Sequence, residues 1–244
     1  MQNLLLAALP AADHGLLTPH LAQVELERGK LLYDPGDRID TVYFPQDGVI
    51  SLMTLMENGA AIESATIGRE GALGLSAAVS PRASLVRAIV QTPCRSLRIS
   101  AGPLHEAWEK SPHVRELVDR HGEALFGHAI QSVACNALHS VEARFCRWLL
   151  TCHDRISNNT VALTQEFLAD MLGVQRTTVT AVARSLQDKG AIRYRRGVVD
   201  IVDRGVLAAL SCECYAAVRR TYERLLPDGD APVDRPEIRR QQVS

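Results

Sequence analysis

The first Lys or Arg in this chain of 244 residues is Arg28. An N-terminus "MQNLLLAALPAA" with no basic start is not a secretory signal and reads as a short amphipathic helix. No apolar run approaches the roughly 20 residues of a membrane span. Six cysteines are too few, in a chain this long, for a disulfide scaffold. Neither sign of charge dominates. Lys and Arg number 27 against 28 Asp and Glu, so the net charge of −1 says nothing about partners until it is read by segment. There is no G-x-S-x-G, no P-loop, no H-E-x-x-H and no internal repeat, and nothing positive supports an enzyme. These absences point to a soluble cytoplasmic protein. What is present is a hydrophobic share of 46%, enough for the cores of one large domain or two small ones.

The texture of the chain changes three times. Residues 1–27 read as one or two short helices around Leu9, Leu16 and Leu21. From Arg28, glycine or proline recurs every few residues with β-rich runs between, and Pro35-Gly36 and Asn58-Gly59 are turn signals. The pattern continues to about Ile99. Many short strands at even spacing predict a small antiparallel barrel or jelly roll over 1–111. From Pro112 to about His139 no proline or strand signal intervenes. Phe126, Ala129, Ile130, Val133 and Ala137 recur at spacings of three and four, which gives an apolar stripe on a helix about 40 Å long. Such a stripe either pairs with a second copy of the chain or packs on the chain's own barrel; pairing is the expectation for residues 112–140. Residues 141–224 are again helical, apart from a strand-like pair, Ile192–Tyr194 and Val198–Val202. The polar, proline-rich tail, 225–244, predicts disorder.

Within 141–224 the stretch "LTQEFLADMLGVQRTTVTAVARSL" holds two helical patterns around one glycine. Thr164 is a good N-cap. Leu168, Met171 and Leu172 share a face, and Ala169 is small where two helices must approach. Gly173 permits the left-handed backbone of a sharp turn, with Val174 filling the corner. Val179, Val182 and Leu186 form the buried face of the second helix. Its outer face carries Gln175, Arg176, Thr177, Thr178, Thr180, Ala181 and Arg184, short polar side chains with two arginines. This is the pattern of a helix-turn-helix whose second helix enters the DNA major groove. From Arg176 to Arg224 there are ten basic and five acidic residues, a local +5 in a chain that sums to −1. Phosphate binding needs such an excess. Arg195 and Arg196, beside Gly197 at a hairpin tip, read as a wing against the DNA backbone.

The order of these parts resembles the Crp/Fnr superfamily of bacterial transcription regulators over nearly the whole chain. The matching stretches are Gly29 and Leu32 through Gly36-Asp37, "TVYFPQDGVISL", "GREGALGL", "VRAIVQTPCRSLRIS", the long helix, "HSVEARFCRWLL", and the helix-turn-helix with its wing. The resemblance implies an α+β chain: an N-terminal cyclic-nucleotide-binding-type β-roll, a dimerisation helix and a C-terminal winged helix. It implies a homodimer on a two-fold double-stranded DNA site, with RNA polymerase as a candidate partner. It also implies an effector pocket at Gly71, Ala72, Leu73, Arg82 and Ala83. Nucleotide-binding members hold the ribose with a Gly-Glu pair and the cyclic phosphate with an Arg-Ser pair. Here Ala72 stands in place of the glutamate and Ala83 in place of the serine. Cyclic AMP is therefore not expected; the effector is a different small molecule or none. Arg82 is a candidate anion contact, against the reading of a surface arginine after Pro81. The sequence indicates no cofactor.

The iron–sulfur branch of the family relies on an N-terminal cysteine cluster, and the first cysteine here is Cys94. Cys135 and His139 have metal-ligand spacing on the long helix, with His121 and His128 on the same side, but read as a polar flank. Cys212 and Cys214 form C-x-C with no second pair to complete a zinc site, so no metal is expected. Glu63 and Glu70 have no partner that the sequence identifies. Two other readings stay open: a module that no longer reads DNA, which Ala181 in place of a base-contacting arginine would allow, and a redox or metal sensor on the same scaffold.

Overall fold

A computed structural model describes residues 2–226. Helices α1 (Leu4–Ala7) and α2 (Ala11–Leu17) lead into β1 (Ala22–Leu26), β2 (Leu31–Tyr33), β3 (Thr41–Leu55), β4 (Ala61–Ile67) and β5 (Arg87–Ser100). Helix α3 (Ala101–Lys110) and the long α4 (Pro112–Leu138) follow. The C-terminal part is α5 (Val141–His153), β6 (Thr160–Ala162), α6 (Gln165–Leu172), α7 (Arg176–Asp188), β7 (Ile192–Arg195), β8 (Val198–Ile201), α8 (Arg204–Leu210) and α9 (Cys214–Leu225).

The N-terminal strands form one antiparallel sheet in the order β1-β5-β3-β4, with β2 also on β5. Two sequence expectations are corrected here. The helical reading of 1–27 ends at Leu21, because residues 22–26 pair with β5, Ala22 opposite Arg98 and Leu26 opposite Cys94. The many short strands are instead dominated by two long ones, β3 of 15 residues and β5 of 14. The Pro and Gly inside β3 mark bulges within one strand: its register against β5 shifts between Pro45 and Asp47 and again between Asp47 and Ile50. Gly48 sits at the bend with φ +94°, where a Cβ would fall 2.5 Å from the Pro93 carbonyl oxygen. The bulges fold the two long strands over, and Phe44, Ile50, Ile67 and Ile99 fill the space enclosed. Asn58-Gly59 does close the β3–β4 hairpin, with Met56 N–H donating to Ala60.

Helix α4 has 27 residues, about 40 Å. Ser111 caps it, its hydroxyl accepting from the Val114 N–H at 3.1 Å, and Pro112 starts it without a lost hydrogen bond. Its buried face, Val114, Leu117, Val118, His121, Ala124, His128, Ser132 and Cys135, packs first on the β-roll and then on α9.

The C-terminal core gathers Phe145, Trp148 and Leu149 of α5 with Leu168, Leu172, Val179 and Leu186. Strand β6, three residues that the sequence reading treated as helical, pairs with β8 to complete a three-stranded sheet in the order β6-β8-β7. Leu225 closes α9, and residues 227–244 of the expected disordered tail lie outside the described residues.

Candidate functional site

The two helices of the DNA-reading motif form as their local sequence directs. The Thr164 hydroxyl caps α6 by accepting from the Phe167 N–H at 3.2 Å. Gly173 ends it with φ +63°, a left-handed conformation that costs a side chain energy, and the chain re-enters helix at Arg176. Val179, Ala183 and Leu186 are the buried positions of α7; Val182, expected among them, is only partly buried, and Ala183 takes the place nearest the core. Gln175, Arg176, Thr177, Thr180, Ala181 and Arg184 are exposed on the opposite face and Thr178 lies at its edge. The first turn of α7 has no side-chain cap and no acidic residue; the Thr178 N–H turns back to the Gln175 carbonyl at 3.0 Å, which leaves the Arg176 and Thr177 N–H groups for an external acceptor.

Strands β7 and β8 form a two-residue hairpin through Arg196 and Gly197, with φ +49° and +77°. Both values are those of a type I′ turn, and Arg196 is the one non-glycine residue with positive φ among the described residues. Arg195 and Arg196 are exposed at the tip. The hairpin is pinned to the start of α6 by Leu163 N–H to Gly197 O at 2.6 Å and Tyr194 Oη–H to Leu163 O at 3.1 Å. The hairpin is also tied to the end of α7, where the Tyr194 N–H donates to Gln187 Oε1 at 2.8 Å.

On α4, Phe126, Ile130, Val133 and Ala137 are exposed and Ala129 is partly so; Phe126 and Val133 show 68% and 72% of their surface. Leu138, 79% exposed, extends the patch and was missed because it lies outside the strict three-four spacing. The stripe faces away from the chain's own β-roll.

The expected effector-pocket residues divide into a buried part and an exposed part. Gly71, Ala72 and Leu73 are buried, but the ring of His121 from α4 lies over them. Its Nε2 accepts from the Ala72 N–H at 3.1 Å, and a Cβ at position 71 would be 3.1 Å from the same atom. Burial lowers the His121 pKa to about 4, so the ring is neutral with its proton on Nδ1. Leu73 is held by backbone pairing to Tyr43. Arg82 and Ala83 are exposed on the loop before β5, and the neighbouring Ser84 hydroxyl is spent on Val86 O at 2.7 Å. A cavity of about 450 Å³ lies elsewhere, between the domains, bordered by Arg69, Glu70, Arg155, Tyr215, Arg219 and Leu226.

Glu63 and Glu70 both acquire partners from the far half of the chain. Glu63 accepts from the Ser51 hydroxyl at 2.6 Å and from the Trp148 indole N–H at 3.0 Å. Arg155 binds Glu70 and the Thr66 hydroxyl, each at 2.5 Å. Ile62 of the β3–β4 hairpin reaches the inter-helix turn, where a Cβ on Gly173 would sit 3.2 Å from its Cδ1. The β-roll therefore grips the DNA-reading unit at its turn. Burial is the main cause that pushes the Glu63 carboxyl up to about 7, against the opposing pull of Ser51, Arg147, Trp148 and Arg155. The unfolded chain loses this proton near 4.5, the ordinary value, so between 4.5 and 7 only the folded chain carries it. Stability should fall as pH rises through that window, by about 3 kcal/mol at most, and be level above it. Melting temperatures from pH 5 to 8 should show this slope, and Glu63→Gln should remove it. Equal slopes in both proteins would show that Glu63 is not the titrating group.

The structure also brings together four residues that the sequence reading kept apart. Cys135 and His139 at the end of α4 meet Cys212 and Cys214 at the α8–α9 turn, with all four donor atoms within 4.8 Å of one another.

Comparison with known proteins agrees with this architecture. Residues 23–111 match the cyclic nucleotide-binding domain family and residues 143–210 the Crp-like helix-turn-helix domain family. The global nitrogen regulator of a Nostoc species is 23% identical over 185 residues, 72% of this chain and 82% of that protein. The structure of FixK2 from Bradyrhizobium japonicum superposes with a TM-score of 0.66 at 16% identity, over 79% of this chain and 98% of that one. The c-di-GMP-responsive global regulator CLP of Xanthomonas campestris gives 0.60 at 17% identity, over 80% and 100%. Fold and site together define a DNA-binding transcription regulator with a cyclic-nucleotide-binding-like sensing domain. The chain thus carries a cyclic nucleotide-binding domain and a Crp-like helix-turn-helix domain, in the order that the resemblance to the Crp/Fnr superfamily implies.

Proposed function

We propose that the protein acts in the cytoplasm as a homodimer on a two-fold symmetric DNA site, with α7 in the major groove and the wing on the flanking backbone. The observation that carries this is the outer face of α7: short polar side chains and two arginines around an uncapped helix start, beside an exposed arginine pair at the wing tip. Gln175, Arg176, Thr177 and Thr180 occupy the N-terminal positions that meet base edges, with Thr178, Ala181 and Arg184 along the same helix. Thr164, Arg195 and Arg196 lie where phosphates pass. RNA polymerase is a further partner on this reading. Fluorescence anisotropy with a labelled fragment of the protein's own promoter, over a salt series, tests it. Specific binding should exceed binding to a scrambled fragment and weaken linearly in log–log salt plots. Equal affinity for the two fragments would refute it.

The seam of the dimer is the α4 stripe of Phe126, Ala129, Ile130, Val133 and Ala137. Two such stripes packed about a two-fold axis would place like positions near each other. Val133→Asp should therefore set two carboxylates into an apolar seam. Sedimentation should then show monomer, and DNA affinity should drop. A dimer that survives the substitution would move the seam elsewhere.

The sensing domain is proposed not to use cyclic AMP. Ala72 offers the ribose no acceptor, Ala83 offers the phosphate no hydroxyl, and the His121 ring covers Gly71 and Ala72. A lost charge-assisted hydrogen bond alone costs about 1.5–3 kcal/mol. Calorimetry should show no cyclic AMP binding in the micromolar range; a micromolar or tighter constant would overturn the reading.

A further inference from the structure

We propose that Cys135, His139, Cys212 and Cys214 form a mononuclear transition-metal site of the zinc(II) class that ties the end of α4 to the α8–α9 turn. The donor set is three thiols and one imidazole, a combination that closes a tetrahedral structural zinc site. Its dimensions agree. With metal–sulfur and metal–nitrogen bonds of about 2.3 and 2.0–2.1 Å, a tetrahedron has sulfur–sulfur edges of about 3.8 Å and sulfur–nitrogen edges of about 3.6 Å. The Cys135 and Cys212 sulfurs are 3.6 Å apart, and Cys214 Sγ is 3.5 Å from His139 Nδ1. No donor atom is more than 4.8 Å from another, which suits one ion. An iron–sulfur cluster interposes several irons and sulfides and would spread its ligands further.

The surroundings are those of a metal centre. The other ring nitrogen of His139, Nε2, lies 3.1 Å from the Glu213 carboxylate. A carboxylate in that place holds the imidazole in the tautomer that leaves Nδ1 free to ligate. Gln131 donates to Cys214 Sγ at 3.0 Å. A divalent ion with three thiolates carries a net charge of −1, and α5 sets two buried arginines behind the cluster, Arg144 and Arg147, each with an Nε that lacks a hydrogen-bond partner. Binding would release the thiol protons to solvent and change no oxidation state.

The place of the site gives it a consequence. Residues 139–140 are the only break between α4 and α5, and α9 packs on both helices. A metal here would lock the C-terminal helix of the DNA-reading unit to the long helix across that break. The effect on DNA rests on the function proposed above; metal uptake does not.

Cobalt(II) titration of the reduced full-length protein tests the site. One equivalent per chain should bring the visible d–d bands of a tetrahedral ion and near-ultraviolet thiolate-to-cobalt charge transfer, and zinc should displace both. Cys214→Ser and His139→Asn should each weaken uptake by about tenfold or more, as losing a ligand or its support does, while Cys94→Ser, far from the cluster, should not. His139 is partly exposed, so His139→Asn stays informative if a cysteine variant fails to fold. Zinc should raise the melting temperature of the parent protein and not that of His139→Asn. The site is refuted if reduced protein shows no charge transfer, or if the bands persist in a Cys212→Ser/Cys214→Ser double variant. Uptake without any change in melting would refute the tie between α4 and the α8–α9 turn. A DNA assay of zinc-loaded and zinc-free protein then reads the consequence separately: equal affinity would sink the regulatory role and leave the site standing.

Discussion

Arg155→Met should cost about 3–5 kcal/mol of stability, as breaking a buried charge pair does when one partner is left behind. The side chain of Arg155 is 6% exposed and that of Glu70 17%. Its guanidinium joins Glu70 and Thr66 of the β-roll to the segment that follows α5, and its backbone carbonyl accepts from the Gly48 N–H at 2.9 Å. Gly68 is glycine for the same reason: a Cβ there would lie 2.6 Å from Arg155 Cγ, inside the side chain's own volume. Methionine fills much of the same space, so the loss is chiefly that of the charge and its hydrogen bonds. Glu70→Gln in the same chain should recover part of it, because the orphaned carboxylate is then neutral. Differential scanning calorimetry of the four proteins in the double-mutant cycle measures the coupling directly. A cost below about 1 kcal/mol for Arg155→Met would place the pair among surface ion pairs and remove it as the fastening between sensor and reader.

Arg176→Ala should cost about 1–3 kcal/mol of DNA affinity and relax preference at one base pair in each half-site. Arginine pairs with guanine O6 and N7 through two hydrogen bonds, and Arg176 stands exposed at the first position of α7. The resemblance to the Crp/Fnr superfamily implies a glutamate at the place of Thr177 and a second arginine at that of Ala181. The half-site should therefore keep one guanine contact and differ elsewhere from those of cyclic-AMP-responsive relatives. The wing should behave differently. Arg196→Asn keeps a residue that tolerates the positive φ of the turn, so the hairpin survives while the charge is lost. It should weaken all sequences alike and flatten the salt dependence by about one unit per subunit. Binding measured against a library of half-site variants separates the two effects. If Arg176→Ala leaves every base preference unchanged, α7 is not the reading element.

The β-roll touches the DNA-reading half at Gly173, Trp148 and Arg155. Glu70 adjoins the Gly71–Leu73 segment and Glu63 lies on β4, the strand that leads to it, and each bonds a residue of the DNA-reading half. Ile62 of the same strand lies against the turn between α6 and α7.

What the sequence determined by itself is local. The length of α4 follows from an uninterrupted helical run begun by Ser111-Pro112. The helix-turn-helix follows from a cap at Thr164, a left-handed glycine at Gly173 and two apolar faces of period 3.6. The wing follows from two short β runs around Arg196-Gly197. In each case the deciding interactions lie within about four residues, so residue type alone carries them. What only the tertiary structure decided lies between elements. Pro45 and Gly48 belong to a sequence texture of short strands until their pairing with β5 shows them to be bulges within one long strand. His121 was one of several histidines on a helix until α4 laid it across Gly71. Glu63 meets Trp148 across 85 residues, Arg155 meets Glu70 across the same span, and Cys135 meets Cys212 across 77. No spacing in the sequence encodes such contacts, because they depend on how whole helices and strands are posed, and packing of the two cores sets that pose.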